Sequence, residues 1–548
     1  MTRLIDLANA SRALAATRSR AAKVDRLAAL LRHCDRDAIA GSETGRNEVG
    51  GREIEQVARW LTGEIRPKTT PGSTPGRAGA ARLHIGPAQM AATDAVEPAP
   101  QPRLTVTDLA RRLDALADIR GSGSQTRRAA ALAGLFAEAT VDEQGFLRRL
   151  LLGELRQGAL GAQMVEAIAR AFDIPLGSVQ RARMLRADIG EVARLAQSAG
   201  RAGLDALGLT LFQPIQPMLA SAADDLADAL AQLPEPLLEY KLDGARVQIH
   251  KSGRQVRVFS RQGNDVSAAV PELIDQVAAL PASELVLDGE TLALTQSGRP
   301  LPFQTTMRRF GRQQDDPALR QQLPLTVFCF DCLALDGETL IDAPLRTRRA
   351  ALSETVPATM RTSFIEAANA ARASDFLAQA LAAGHEGLMA KDPGSTYAAG
   401  ARGSHWLKLK QSHSLDLVVL AAEWGSGRRR GWLSNLHLGA RDGAGGFIML
   451  GKTFKGLTDQ LLAWQTEQLL ARAVARDDQI VHVRPELVVE IAFNELQQSR
   501  HYPGGLALRF ARVKRYRPDK GPAEADDIHG VRALFERQVA YQPEPAHD

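Results

Sequence analysis

Cysteine is nearly absent from this chain: there are three in 548 residues, Cys34, Cys329 and Cys332. That scarcity excludes a disulfide-stapled scaffold and leaves too few thiols for a four-cysteine zinc module. Cys329 and Cys332 have the spacing of half such a module, but no second pair completes it. Lying in the apolar run 325–333, they read as buried strand cysteines. Aromatic residues are scarce at 5%, so aliphatic side chains must build the cores. No stretch approaches the ~18 consecutive apolar residues of a membrane span. The opening Met1-Thr-Arg-Leu-Ile-Asp-Leu7 lacks the apolar centre of a signal peptide, so a cytoplasmic protein without a membrane partner is expected. Neither sign of charge dominates. The net value is +5, with basic residues in local clusters, which suits a polyanionic partner without requiring one.

The length allows about three domains at ~100–200 residues each, and 45% apolar residues give each a core. Residues 1–205 read as all-α. Val24, Leu27, Leu30 and Leu31 recur at helical spacing, and Thr140-Val-Asp-Glu143 spells a capping box before the apolar run 146–152. A Pro, Gly, Ala and Thr-rich stretch over 67–103 reads as a loop within this domain. Residues 206–412 change to a period of two, with strands expected at 256–259, 285–287 and 327–333. Helices at 271–280 and 367–382 make this an α+β domain. Residues 413–540 give short strands at 415–421, 433–438, 447–450 and 487–492 around one helix at 458–475. That is the pattern of a small β-barrel of the OB-fold kind.

The most informative segment is Glu239-Tyr-Lys-Leu-Asp-Gly-Ala-Arg246. It ends an apolar strand on Lys241, just before an Asp-Gly turn, and a second strand, 247–251, follows at once. Backbone pairing on both sides is expected to hold the lysine there and so to aim its amine, against the plainer alternative of an ordinary hairpin with a surface lysine. A free lysine amine, with pKa ~10.4, is neutral in only roughly four molecules per ten thousand at pH 7. A nucleophilic one therefore needs burial or nearby cations. Arg246, Arg261, Lys391, Lys408 and Lys410 supply the cations, and together they would also balance a triphosphate. Glu290, at an apparent turn after an apolar strand, and Glu386, at a turn entering another, suit magnesium. That ion commonly takes one or two carboxylates plus phosphate oxygens.

The octapeptide resembles the nucleophile segment of the covalent lysyl-nucleotidyltransferases: ATP-dependent DNA ligases, RNA ligases and capping enzymes. Further segments follow in that superfamily's order. They are Ser260-Arg261-Gln262-Gly263, Asp288-Gly289-Glu290, Phe328-Cys-Phe-Asp-Cys-Leu333, Glu386-Gly387 with Lys391, Trp406-Leu-Lys408-Leu-Lys410, Arg509-Phe510-Ala511-Arg512 and Arg517-Pro518-Asp519-Lys520. Gly153-Glu-Leu-Arg-Gln-Gly-Ala159 and Gln216-Pro217-Met218-Leu219-Ala220 resemble ligase segments outside that core, and capping enzymes lack a helical domain at the front. The chain is thus identified as resembling the three-domain ATP-dependent DNA ligases of bacterial and archaeal type.

The resemblance implies a role for each matched residue. Lys241 would carry AMP as a phosphoramidate. Glu239 would contact the adenine edge and Phe330 stack on its ring. Arg246 and Arg261 would bind ribose and phosphate, and Arg246 would later grip the nick 5′-phosphate. Glu290 would touch the ribose and, with Glu386, support Mg2+. Arg402 and Lys408 would neutralise the α-phosphate, with Lys410 in support. Arg517 and Lys520 would orient pyrophosphate after a swing of the barrel about residues 411–414. The implied partner is nicked duplex DNA, encircled by a nucleoid-associated monomer and held largely through its phosphates. The Arg428-Arg429-Arg430 run is a second candidate DNA contact. An RNA ligase with the same core is the alternative enzyme, and a non-catalytic DNA-binding scaffold the alternative of another class.

Overall fold

The helical spacing of the first third of the chain folds as read. The structure is a computed structural model that describes residues 1–39, 49–65, 85–155, 157, 160–312, 314–366, 369–398, 402–410 and 413–539. Among those residues, helices alone fill the stretch from Leu4–Ala16 to Ile189–Asp205, apart from a lone bridge between Arg3 and Thr105. Val24, Leu27 and Leu31 are buried in one core with Leu109, Phe136, Phe146 and Ile168. The capping box forms: Thr140 N donates to Glu143 Oε2 at 2.8 Å at the start of the helix Val141–Leu151. It satisfies amides that a first turn leaves without partners. Of the expected loop at 67–103, residues 67–84 lie outside the described residues, and the remainder carries a short helix, Pro87–Ala91. Arg156 is also outside them, whereas Gln157 is buried.

The middle of the chain builds two five-stranded sheets. The strands are β1 (Leu219–Ala222), β2 (Leu237–Lys241), β3 (Ala245–Ser252), β4 (Gln255–Ser260), β5 (Glu284–Ala293), β6 (Leu325–Leu335), β7 (Glu338–Thr339), β8 (Phe364–Glu366), β9 (Gly387–Lys391) and β10 (Arg402–Lys410). Their orders are β1-β10-β9-β2-β8 and β4-β3-β5-β6-β7. The period of two sorts each sheet into an apolar face and a chemical one. Leu238, Leu388, Ala390, Leu407 and Leu409 pack against the helices Leu226–Gln232 and Ala370–Ala382. By register, Glu239, Lys241, Met389, Lys391, Trp406, Lys408 and Lys410 share the opposite face. In the second sheet Val247, Ile249, Leu285 and Leu287 enter a core of their own, leaving Arg246, Gln248 and His250 on the face that meets the first sheet.

Two expectations are corrected here. The Asp-Gly step after Lys241 does not join two paired strands: β2 and β3 belong to different sheets, and Leu242-Asp243-Gly244 crosses between them, which also excludes the plain hairpin. Gly244 makes the crossing feasible, because a Cβ there would stand 2.2 Å from Thr291 O of β5. Glu290 is not at a turn either. Asp288-Gly289-Glu290 lies inside β5, which is paired with β3 on one side and β6 on the other. Ladder pairing on both edges overrides the turn preference of Asp-Gly. The β5–β6 ladder also carries a bulge. Asp288 faces Asp331 and Gly289 faces Cys329, so Phe330 is the extra residue, and the added step re-aims its ring. The same shift puts Cys329 and Cys332 into one core despite their odd spacing. Burial pushes each thiol up to about 12, as expected of inert strand cysteines.

The remaining strands are β11 (His413–Trp424), β12 (Leu433–Arg441), β13 (Phe447–Thr453), β14 (Ala473–Arg476), β15 (Ile480–Val483), β16 (Val488–Phe493), β17 (Glu495–Gln498), β18 (Leu506–Arg509) and β19 (Arg512–Tyr516). The long strand β11 pairs with β12, β15 and β16, and β16 with β19, around one aliphatic core. The helix expected at 458–475 is Asp459–Ala471, since the chain from Ala473 pairs with β15 instead. Residues 411 and 412 of the expected hinge lie outside the described residues, and His413 already begins β11.

A clasp ties the helical region to the second of the two five-stranded sheets. Alternate side chains of β3 hold every third residue of the linker. His250 Nδ1 accepts from Phe212 N at 3.0 Å, Gln248 Oε1 from Ile215 N at 2.8 Å, and Arg246 Nη1 donates to Met218 O at 2.7 Å. Burial pushes His250 down to about 3, so its ring stays neutral and able to accept. Met184 and Leu185, at the end of the helix Leu176–Leu185, bury beside Ile215, Met218 and Leu333.

Candidate active site

Lys241 ends β2 on the chemical face, its side chain 16% exposed. Backbone pairing sets Gly387 opposite it, and Glu386 N donates to Lys241 O at 3.1 Å. Gly387 has φ +145°, and a Cβ there would lie 2.2 Å from Leu409 O, so only glycine lets the chain pass this close. The Glu386 carboxylate is thereby placed beside the amine. Its Oε2 is ion-paired to Lys241, and its Oε1 accepts from Lys410 Nζ at 2.7 Å. Burial alone would raise the Glu386 carboxyl, but Lys241 and Lys410 outweigh it and hold the group below its ordinary range.

Two further carboxyls crowd the amine. Asp243, on the crossover, is pushed up to about 6 by burial and then by Glu386, with Glu495 of β17 acting in the same sense against Lys241 and Lys410. Glu290, cross-strand from Arg246, is pushed up to about 7 by burial, against the pull of Lys241 and Arg246. Arg246 spends four of its five donors: Nε and Nη2 on Asp288 at 3.0 and 2.6 Å, Nη1 on Met218 O, and Nη2 on Tyr397 Oη at 3.3 Å. Burial works against its charge, yet Asp288 more than restores it and raises its pKa further. Tyr397 Oη in turn donates to Asp288 at 2.7 Å and accepts from Met218 N at 3.0 Å.

Deeper between the sheets, Glu239 is 1% exposed. Lys391 Nζ stands 2.5 Å from its Oε2 and Arg349 Nη1 3.1 Å from its Oε1, and Oε1 is buried without a hydrogen bond. Burial lowers the Lys391 pKa against the opposing effect of Glu239. The amine also lies 4.6 Å from the Phe330 ring centroid and 4.2 Å from a Trp406 ring centroid. An acidic acceptor, an aromatic ring and a line of cations therefore gather between the two sheets, on the strand face that also carries Lys241.

The other expected residues fall around this centre. Arg261 is exposed just past the end of β4 and lines a small open groove with Pro214, Pro217, Arg246, Ser260 and Asp288. Lys408 lies between Trp406 and Lys410 on the chemical face. The side chain of Arg402 lies outside the described residues. Arg517 and Lys520 are brought not to this centre but to Asp416 of β11, at 2.8 and 2.6 Å. Arg428 pairs with Asp459 at 2.6 Å on the barrel surface. Sequence reasoning missed Asp243, Asp288, Tyr397 and Arg349. Asp288 was legible as the same-face neighbour of Glu290 once β5 is known to be a strand, but nothing in the local sequence marks Tyr397 or Arg349. Among the described residues, no three His, Cys, Asp or Glu side chains form a ready metal cage.

Three family models match in chain order: DNA ligase N terminus over residues 88–169, ATP dependent DNA ligase domain over 217–410, and ATP dependent DNA ligase C terminal region over 429–520. A probable DNA ligase of Anaeromyxobacter sp. (strain Fw109-5) is 53% identical over 540 residues, covering 98% of this chain and 99% of the relative. The chain belongs to the ATP-dependent DNA ligase family. DNA ligase B of Mycobacterium tuberculosis (strain CDC 1551 / Oshkosh) is 49% identical over 535 residues, covering 97% of this chain and 100% of that one. A solved structure named Pmar-Lig_Pre, 19% identical with a TM-score of 0.53, covers 93% of this chain and 99% of its own. At that identity the likeness concerns the fold alone. Lys241, Glu386 and Lys410 all fall within the ATP-dependent DNA ligase domain match, and Arg517 and Lys520 within the C-terminal match.

Proposed function

We propose that this chain is an ATP-dependent DNA ligase that seals 5′-phosphate, 3′-hydroxyl nicks in duplex DNA through an AMP adduct on Lys241. The observation that carries the reading is the placement of the Lys241 amine on one strand face with Glu239 and a row of cations, with the Phe330 ring of the second sheet beside Lys391. The amine attacks the α-phosphorus of ATP, its P–N bond forms as the P–O bond to pyrophosphate breaks, and its proton passes to solvent. An oxygen of the nick 5′-phosphate then attacks the same phosphorus and returns the electron pair to the lysine. Finally the 3′-hydroxyl attacks the 5′-phosphate and AMP leaves. Lys408 and Lys410, with Arg402, balance charge growing on the α-phosphate. Arg246 and Arg261 hold ribose and phosphate, and Arg246 keeps one N–H and its full charge for that purpose.

Magnesium suits the carboxylates present. Glu290 and Asp243 have raised pKa values, and a hard cation beside them would relieve that cost while using Glu290 and Glu386 as oxygen ligands. When bound it would offset negative charge at the α-phosphate. Residues 1–205 serve as the DNA-binding domain, 206–412 as the adenylation domain and 413–540 as the OB-fold domain, which together encircle DNA as a monomer. Arg517 and Lys520 must leave Asp416 to reach pyrophosphate, which fits a barrel that moves during the cycle.

The test is intact mass after incubation with ATP and Mg2+, followed by a chase with nicked DNA or nicked RNA. Wild-type protein gains one AMP, Lys241→Ala gains none, and the adduct is consumed as nicked DNA is sealed. An adduct that persists after Lys241→Ala sinks the reading, and an adduct consumed only by nicked RNA favours the RNA ligase instead.

A further inference from the structure

The geometry points to Arg349 as the residue that sets base selectivity, by fixing the spacing between the Glu239 carboxylate and the Phe330 ring. The inference rests on the ligase reading of this site, in which those two groups receive the base. They belong to different sheets, with no backbone ladder between β2 and β6, so the ladders alone do not fix their separation. Arg349 joins them from the helix Leu345–Thr355. Its Nη1 stands 3.1 Å from Glu239 Oε1 and 3.4 Å from Phe330 O, and its Nη2 donates to Thr362 O at 2.8 Å. The guanidinium carbon lies 4.1 Å from the centroid of Phe364, which pairs with Glu239 across β2 and β8. Three strand segments are thus pinned by one planar, 4%-exposed group.

The consequence is chemical. Glu239 Oε1 is buried without a hydrogen bond, so it can accept from a ligand N–H. Adenine offers an amino donor at the position where guanine offers a carbonyl oxygen, which a carboxylate repels. That discrimination works only if the acceptor and the stacking ring keep their spacing. A lysine at 349 keeps the charge but, with a single nitrogen, lacks the fork that holds Glu239 and Phe330 through Nη1 while Nη2 stays on Thr362 O. Arg349 is a positioning residue and touches no reacting atom.

The experiment measures label transfer to Lys241 from α-labelled ATP and GTP over a range of concentrations, for wild type, Arg349→Lys and Phe364→Leu, with thermal melts as the fold check. Arg349→Lys is expected to raise KM for ATP about tenfold with kcat changed less than about threefold, and to lower the ATP-over-GTP preference about tenfold. Phe364→Leu removes the shelf under the guanidinium and shifts the preference the same way by less. An unchanged ATP-over-GTP ratio in folded Arg349→Lys, or a loss confined to kcat, overturns the inference. If Arg349→Lys does not melt cooperatively, Phe364→Leu decides: a lowered ratio supports the proposal and an unchanged one ends it. Wild-type protein that takes no label at Lys241 defeats the ligase reading and this inference together, whereas normal wild-type labelling with an unmoved ratio defeats this inference alone.

Discussion

Glu386 joins the Lys241 amine to Lys410, one carboxylate oxygen to each. The Lys241 amine, the proposed nucleophile, is therefore held as one end of a three-group charge network, with both lysines acting on a single carboxyl. Because the two cations together keep Glu386 below its ordinary range against the effect of burial, removing one lets burial prevail. In Lys410→Met the carboxyl should titrate at higher pH than in wild type. The acid limb of lysyl-AMP formation, followed as initial rate from pH 5 to 9, should move upward. A limb that stays in place would show that Glu386 ionisation does not govern the step.

Glu290 gives a stability effect of opposite sign to the usual carboxylate. Its folded pKa is raised from 4.5 to about 7, so the folded state binds a proton that the unfolded state has released. Wild-type stability should fall as pH rises from about 4.5 through 7. Gln at this position mimics the neutral form at every pH. Glu290→Gln should therefore melt a few degrees higher than wild type at pH 8, by on the order of 1–3 kcal/mol, with the difference vanishing near pH 4.5. The same variant should lose lysyl-AMP formation, which separates the folding effect from the catalytic one.

Tyr397 links the linker clasp to the Arg246–Asp288 pair. Tyr397→Phe keeps the ring and deletes a buried hydroxyl that serves Met218 N and Asp288. Leaving those groups without a partner should cost ~1–3 kcal/mol, read as a lower denaturant midpoint at unchanged slope. A midpoint equal to wild type would mean that water replaces the hydroxyl.

Gly387→Ala combines a strained φ with an overlap against Leu409 O. It should destabilise the two-sheet region around residue 387 by more than ~3 kcal/mol. In whatever protein remains folded, label on Lys241 should disappear, because Glu386 and the β2–β9 register move together. Normal labelling by this variant would show that the tight passage at 387 is dispensable.

Much of the site was legible because its residues come in short, chemically marked strings on strands. Lys241 with Glu239, Lys408 with Lys410 and Asp288 with Glu290 each sit two apart, so the pleat turns them to one face whatever the sheet order is. The helical third was legible for the matching reason, a 3.6-residue recurrence of aliphatic side chains. Two readings went wrong at the same kind of place. Asp-Gly at 243–244 and at 288–289 suggests a turn by local preference, yet one is a crossover between sheets and the other lies inside a doubly paired strand. Local preference there is worth a fraction of a kcal/mol, less than a ladder paired on both edges.

The amino-acid order alone determined which residues are the candidate nucleophile, acceptor and cations, since their identities and spacings are covalent facts. Only the tertiary structure decided which of them meet. The Phe330 bulge, the β3 clasp on residues 212–218 and the Arg349 bridge join groups distant in sequence. Their geometry depends on which strands share a sheet and on two buried faces packing together, and no periodicity within a single segment carries that information.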